Sequence, residues 1–492
     1  DSAAITVAGT TSLTSLGSLF APNSFALGSG FVGPVTLTGS GSLGDVSLIR
    51  PISLAPPNGN ITLDAPNDFT GAVNTSTAAS VVLNDTSGII LGDSTIGGSL
   101  TVTANGSITD VGTLAVTGTT SLAAGSANDI TLDNANNFGG AVSITSGNDV
   151  ALNDTGAIAL GASTVSGNLA VTANGSITDT GAVTVAGTTT LTAGSGNDIT
   201  LDAANDFVGE LTIVSGRNVT LNDANSLDLG SATAVSTISG NLTITAAGRI
   251  DGGNLAITGT TSLTAGSANR IVFNAIEGPN SFGGAVSIGS GFNVVLTAAG
   301  PLDLGSSNVT GFLSVTANGS VTDSGPITTT TTLSIDAGSA NDITLDQLNN
   351  VASLQINSGN NVVFNDTSGL VMCGSTISGN LTLTVRGALS DSGPLTVAGT
   401  TAIQQLANGN DITLDDANDF GGAVSISTSS NSSINVTLND TSALVLGTFS
   451  IDGDATITAN GAITGSEQLA ISGTTSLTAG AANDITLSNS TN

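Results

Sequence analysis

Apolar and polar residues alternate along most of this chain in runs of about five. In residues 168–173, Leu169 and Val171 fall on one side of an extended backbone and Ala170 and Thr172 on the other. This period of two is that of a half-buried strand. The runs are rich in Val, Ile and Thr and are broken by Gly, Asn and Asp, so they predict short strands joined by tight turns. No stretch combines a 3.6-residue period with good helix formers.

The runs also recur at long range. An Ile followed by a small or β-branched residue and then an apolar one, usually with Asp next, stands at Ile61, Ile130, Ile199, Ile271, Ile343, Ile412 and Ile485, at spacings of 69, 69, 72, 72, 69 and 73. A GTTSL-like string starts at Gly118, Gly187, Gly259, Gly399 and Gly473, and an ANGSITD-like string at Ala104, Ala173, Ala246, Ala317, Val385 and Ala459. Three independent markers therefore hold one period of about 70 residues, which overrides any domain count taken from length. The long repeat divides again. Segments 118–140, 141–167 and 168–186 differ in length, yet each reads strand, turn, strand, loop. A basic unit of about 23 residues gives roughly 21 rungs, three to each long repeat.

One such unit cannot bury its apolar row alone, but a stack of them can. Each strand then pairs in parallel with its counterpart one rung on, about 4.8 Å away, and some 21 rungs extend about 100 Å. The expected fold is thus an all-β parallel β-helix, or β-solenoid, with a narrow aliphatic core. A string of immunoglobulin-like sandwiches competes poorly, because the repeat is too short for one and neither a Trp core nor a Tyr corner exists. Phe69, Phe138, Phe207, Phe282 and Phe420 mark one loop in successive repeats. They read as plugs of a wider corner rather than as a ligand platform, and Val351 at the same place in another repeat fits that reading. Residues 61–492 form the regular part. Residues 1–60, with six of the ten prolines in the first 66 positions, are expected to form irregular coils with a loop insertion around Phe20, Phe25 and Phe31.

Composition narrows the chemistry. There is no His, Trp, Tyr or Lys; the five cations are Arg50, Arg217, Arg249, Arg270 and Arg386; 36 acidic residues bring the net charge to −31. Without His or Lys there is no Ser-His-Asp triad, imidazole metal site, Schiff base or P-loop. One cysteine, Cys373, makes no internal disulfide. The charge argues against nucleic acid and anionic membranes as partners. No apolar run is long enough for a spanning helix. Because the only Met is Met372, Asp1 reads as the start of a processed product or of a piece of a longer chain.

Strings such as GTTSLAAGSANDITLDNANNFGG and NLAVTANGSITD resemble the filamentous-haemagglutinin-type repeats of two-partner-secreted exoproteins and autotransporter passengers, well over residues 60–492 and poorly before them. The resemblance implies a right-handed parallel β-helix, export to the bacterial cell surface, and a role in adhesion or in surface fibres. The N-terminal secretion domain and C-terminal membrane barrel that the resemblance implies are not read within residues 1–492, so the sequence leaves the export route open.

Calcium is the one cofactor the residues raise. Aligned rungs place Asp133, Asn153 and Asp179 at one corner, followed there by Asp202, Asn222 and Asp251. Asp179 and Asp202 stand as neighbours whose carboxylates repel by about 1 kcal/mol at about 5 Å in water. Either solvent tolerates that repulsion or an all-oxygen ligand set holds Ca²⁺ between them. The Asp residues recur at repeat positions, whereas an active site would be unique, so no enzyme is expected. Neither end of the chain carries an amphipathic cap, and open rungs leave strand edges unpaired. Head-to-tail stacking into a fibre is one reading and a piece of a longer β-helix the other. The expected function is an extracellular structural β-solenoid, a surface fibre or adhesin shaft. The alternative is an adhesive module that binds glycans or cell surfaces through its loops.

Overall fold

The computed structural model describes residues 60–69, 71–230, 232–276, 278–429 and 433–489, and, as backbone only, the strands Thr11–Ser15, Phe25–Ala26, Val35–Gly39, Val46–Ser47 and Ile52–Leu54. The irregular coils and loop insertion expected before residue 60 lie largely outside these residues. The chain forms two compact units, Asp1–Ala247 and Gly248–Asn492.

Each unit is a parallel β-solenoid, and no helix occurs among the described residues. In the first, Ile61 pairs with Val81, Val81 with Leu100, Leu100 with Thr120 and Thr120 with Val142, each one turn further on. In the second, Ile271 pairs with Val294, Val294 with Leu313 and Leu313 with Leu333. The ladders take nine steps from Ile61 to Leu242 and ten from Val286 to Ile485, about 21 turns with the stretch between. Alternation along each strand decides what is buried. Val150, Leu152 and Asp154 point inward while Ala151 and Asn153 are partly exposed. Inward Ile, Leu and Val fill the core from Ile61 to Ile463, each contributing about 1.5–3 kcal/mol when fully buried.

The register relates the long repeat to the turn. Ile61, Ile130 and Ile199 are equivalent residues of successive repeats. Ile61 reaches Ile199 along one ladder in seven steps, through Val81, Leu100, Thr120, Val142, the strand Ile158–Leu160 and Ile177. Ile130 lies on a second ladder, between Ile108 and Val150. A repeat therefore holds three full turns and half of a fourth, and successive copies start on alternate ladders. The second unit does the same: Ile271 and Ile412 share a ladder while Ile343 stands on the other.

The recurrent AGSAND turn is closed by backbone geometry. Gly125, Gly194, Gly266 and Gly338 have φ of +86°, +79°, +80° and +78°, a region that favours glycine. Three residues on, Asn128, Asn197, Asn269 and Asn341 each donate from Nδ2 to the carbonyl just before the glycine, at 2.7 Å in these four copies.

Candidate functional site

The acidic residues proposed for calcium do not converge. Asp179 and Asp202 are neighbours on successive turns, but the Asp179 carboxylate is already engaged. Its Oδ1 accepts the Asp202 N–H at 3.2 Å, and its Oδ2 accepts the Ala203 N–H at 3.2 Å and Asn205 Nδ2 at 2.7 Å. The grouping of Asp179 with Asp133 and Asn153 is corrected by register. Asp133 and Asn153 follow Leu132 and Leu152 on one ladder, whereas Asp179 follows Ile177 on the other. Asn153 Nδ2 donates to the Asp133 carbonyl at 3.1 Å, so this neighbour contact uses the backbone and leaves the Asp133 carboxylate in solvent. Asp251, in the second unit, pairs with Arg249; burial raises its pKa while Arg249 and Arg270 oppose the rise. Among the described residues no three acidic or cysteine side chains are grouped to hold a metal.

The five marker phenylalanines lie in the core, from 1% exposed at Phe69 to 8% at Phe282. The residues beneath them are apolar: Val116 pairs with Phe138, Val185 with Phe207, Ile257 with Phe282 and Val397 with Phe420. In the fifth repeat Thr329 pairs with Val351.

Sequence reasoning missed the polar groups buried beside these rings. Asp85, Asp154, Asp223, Asp366 and Asp440 are at most 1% exposed, as are Asn136, Asn205, Asn349 and Asn418. In each case the aspartate Oδ2 accepts the N–H of the marker residue on the turn before: Phe69 at 2.8 Å, Phe138 at 2.7 Å, Phe207 at 2.9 Å, Val351 at 2.9 Å and Phe420 at 2.8 Å. Its Oδ1 accepts the N–H two residues ahead, as from Ser87 at 2.7 Å and Gly156 at 2.6 Å. The asparagine acts one turn earlier. Its Oδ1 accepts the N–H of Leu114, Val183, Ile327 or Leu395, each at 2.8 Å. Its Nδ2 donates to Asp110, Asp179, Asp323 or Asp391 at 2.7–2.8 Å. In four copies an Asp–Asn–Asp chain thus ties three turns together where the loop interrupts the backbone ladder; the Phe282 copy has Ala298 in place of the aspartate, and its Asn280 Nδ2 donates to the Asn274 and Thr297 carbonyls instead. Burial raises the pKa of Asp154, Asp223 and Asp366 against their N–H bonds, and also that of Asp323 and Asp391 against their asparagine partners. The Asn-Asp pair ending Val81–Asp85, Val150–Asp154, Val219–Asp223, Val362–Asp366 and Val436–Asp440 was the available signal.

A second polar row runs along an outer corner. Asp342 Oδ1 accepts the Asn361 N–H at 3.1 Å, Asn361 Oδ1 the Asn380 N–H at 3.0 Å, and Asn380 Oδ1 the Thr400 N–H at 2.8 Å. Asp129, Asp149 and Asn168 make the same row in an earlier copy, ending on the Thr188 N–H. Asp198 belongs to this corner, and the Arg217 guanidinium, held at 2.7 Å, keeps its carboxyl far below the usual range. Elsewhere, an outer groove of about 340 Å³ is lined by Thr382, Thr384, Gln404, Ser427 and Ser450, without a charged group.

Parallel turns, an apolar interior and polar chains repeated copy by copy define a β-solenoid repeat protein. The chain belongs to the family described as Repeats of unknown function (DUF5649), which matches it over 78–145, 147–214, 216–289, 291–356, 359–427 and 433–492. Neither a curated protein nor a solved structure matches the chain.

Proposed function

We propose that this protein is a non-enzymatic, extracellular structural β-solenoid that serves as a bacterial surface fibre or adhesin shaft. The carrying observation is where the repeated chemistry goes. The carboxylates and amides that recur from copy to copy accept or donate bonds between one turn and the next, as Asp154 does for Phe138 and Asn136 for Leu114. Such groups serve winding, and copying them lengthens the solenoid without making a reactive centre. The net charge of −31 keeps neighbouring shafts apart in solution. The resemblance of the repeats to filamentous-haemagglutinin-type exoproteins supports placement at the cell surface, and head-to-tail self-association completes the fibre reading.

Negative-stain electron microscopy of the purified protein tests this. Long uniform filaments or stiff rods are the expected result, and compact globules overturn it. The alternative, an adhesive module, is favoured by the exposed phenylalanines Phe292 and Phe312. Single rods that bind a glycan array would support it.

A further inference from the structure

One copy departs from its sisters on three consecutive turns of the outer corner. Where other copies have Asp129, Asp198, Asp342 and Asp411, this copy has Arg270. Where they have Asn148, Arg217 and Asn360, it has Phe292, and where they have Asn168, Asn241 and Asn380, it has Phe312. Register brings these together in the second unit. Arg270 precedes Ile271, Phe292 lies two residues before Val294, and Phe312 precedes Leu313; Ile271, Val294 and Leu313 are successive rungs of one ladder. The Phe292 N–H donates to the Asn269 carbonyl at 2.7 Å, and the Val294 N–H to the Phe312 carbonyl at 2.9 Å.

The exchange gives up bonds that the sisters keep. Asn148 and Asn360 donate to Asp129 and Asp342 at 2.9 and 2.8 Å, and Arg217 pairs with Asp198. Asn168 and Asn380 cap the next turn. Phenylalanine does neither. Nor does packing compensate, because Phe292 and Phe312 are 42% and 37% exposed, the only phenylalanines among the exposed large hydrophobic residues described. Arg270 is exposed too; it makes no ion pair within 4 Å among the described residues, and its charge acts at longer range on Asp251 of the adjoining turn. On the next turn Thr330 and Thr331, both exposed, stand where sister copies have Ala186 and Gly187.

We infer that Arg270, Phe292 and Phe312, with the hydroxyl of Thr331, form a binding strip for a carboxylated saccharide. The rings offer two apolar faces on adjacent turns for the C–H faces of sugar rings. The guanidinium suits a sugar carboxylate, which it can hold through two parallel N–H bonds. The threonine hydroxyl matches sugar hydroxyls. This inference rests on the adhesive reading, and the shaft stands without it.

The test uses the whole chain and isothermal titration with two carboxylated probes, hexagalacturonate and an oligomer of sialic acid, against methyl-esterified hexagalacturonate as the neutral control. Binding of at least one acidic probe is expected at an ionic strength that screens the protein's own net charge of −31. F292N and F312N restore sister residues and so preserve the fold; each should weaken binding at least tenfold. R270D should abolish preference for the acidic probe over the neutral one. Failure of both acidic probes to bind, or equal binding by wild type and F292N/F312N, overturns the inference. So does a variant effect confined to sedimentation, which would make the strip a contact between two copies. Filaments in the microscope without saccharide binding would sink this inference alone, whereas binding by compact globules would sink the shaft alone.

Discussion

At the scale of single residues, the decisive groups are buried and polar. Asp154 accepts two backbone N–H groups inside the core. Asp154→Ala strands both donors, at about 1–3 kcal/mol each. Urea unfolding should register that loss, whereas Asp133→Ala, on an exposed side chain, should leave the midpoint within error. A second set of buried atoms makes the opposite prediction. The hydroxyls of Thr120, Thr189, Thr261 and Thr401 are buried without a hydrogen-bond partner. Leu333 holds the equivalent place in another copy and is fully buried, so the site accepts an apolar side chain. Thr189→Val should therefore stabilise the protein by about 1 kcal/mol, read as a higher melting temperature. A decrease would mean that the hydroxyl has a role its surroundings do not reveal.

At the scale of elements, close stacking of turns sets the limits. A Cβ on Gly187 would stand 2.5 Å from the Gly167 carbonyl oxygen, whereas one on Gly196 would meet nothing within 4 Å. Gly187→Ala should cost about 1–3 kcal/mol through forced separation of two turns. Gly196→Ala should be neutral or slightly stabilising through the unfolded chain. Comparing the two by thermal melting separates crowding from flexibility. Much of the architecture at this scale was legible in the sequence. Alternation in stretches such as 169–173 marked strands, and the Ile anchors marked the long period. The buried Asp–Asn–Asp chain was not legible, since aspartate and asparagine at a strand end read as turn residues in solvent. Only the three-dimensional register shows that Asp154 lies under the Phe138 N–H. The same register parts Asp133 from Asp179, which lie on different ladders although a linear alignment of rungs had joined them. Arg270, Phe292 and Phe312 are separated in sequence by a full turn of chain each, so their meeting at one corner was hidden until neighbouring turns were known.

At the scale of the molecule, charge and burial act together on pH dependence. Burial raises the folded-state pKa of Asp154, Asp223 and Asp366. A raised folded value gives a stabilising contribution that is complete below the unfolded carboxyl value and fades as pH climbs through the folded one. Mutual repulsion among 36 acidic residues against five cations also relaxes as they protonate. Asp198 and Asp342 pull the other way, since hydrogen-bond partners lower their pKa, but both lie near the surface, where such pairs contribute little. Calorimetry should find a higher melting temperature at pH 4.5 than at pH 7.5, and the reverse order would refute this assignment.

The half-turn remainder in each repeat bears on how such a chain can lengthen. Inserting or losing a single copy within a unit would carry every later motif to the other flank of the coil, while a change by two copies would restore each to its own. Duplication in pairs is thus the growth mode that keeps a surface feature facing the same way, and a lone unequal crossover would turn it around without disturbing the core.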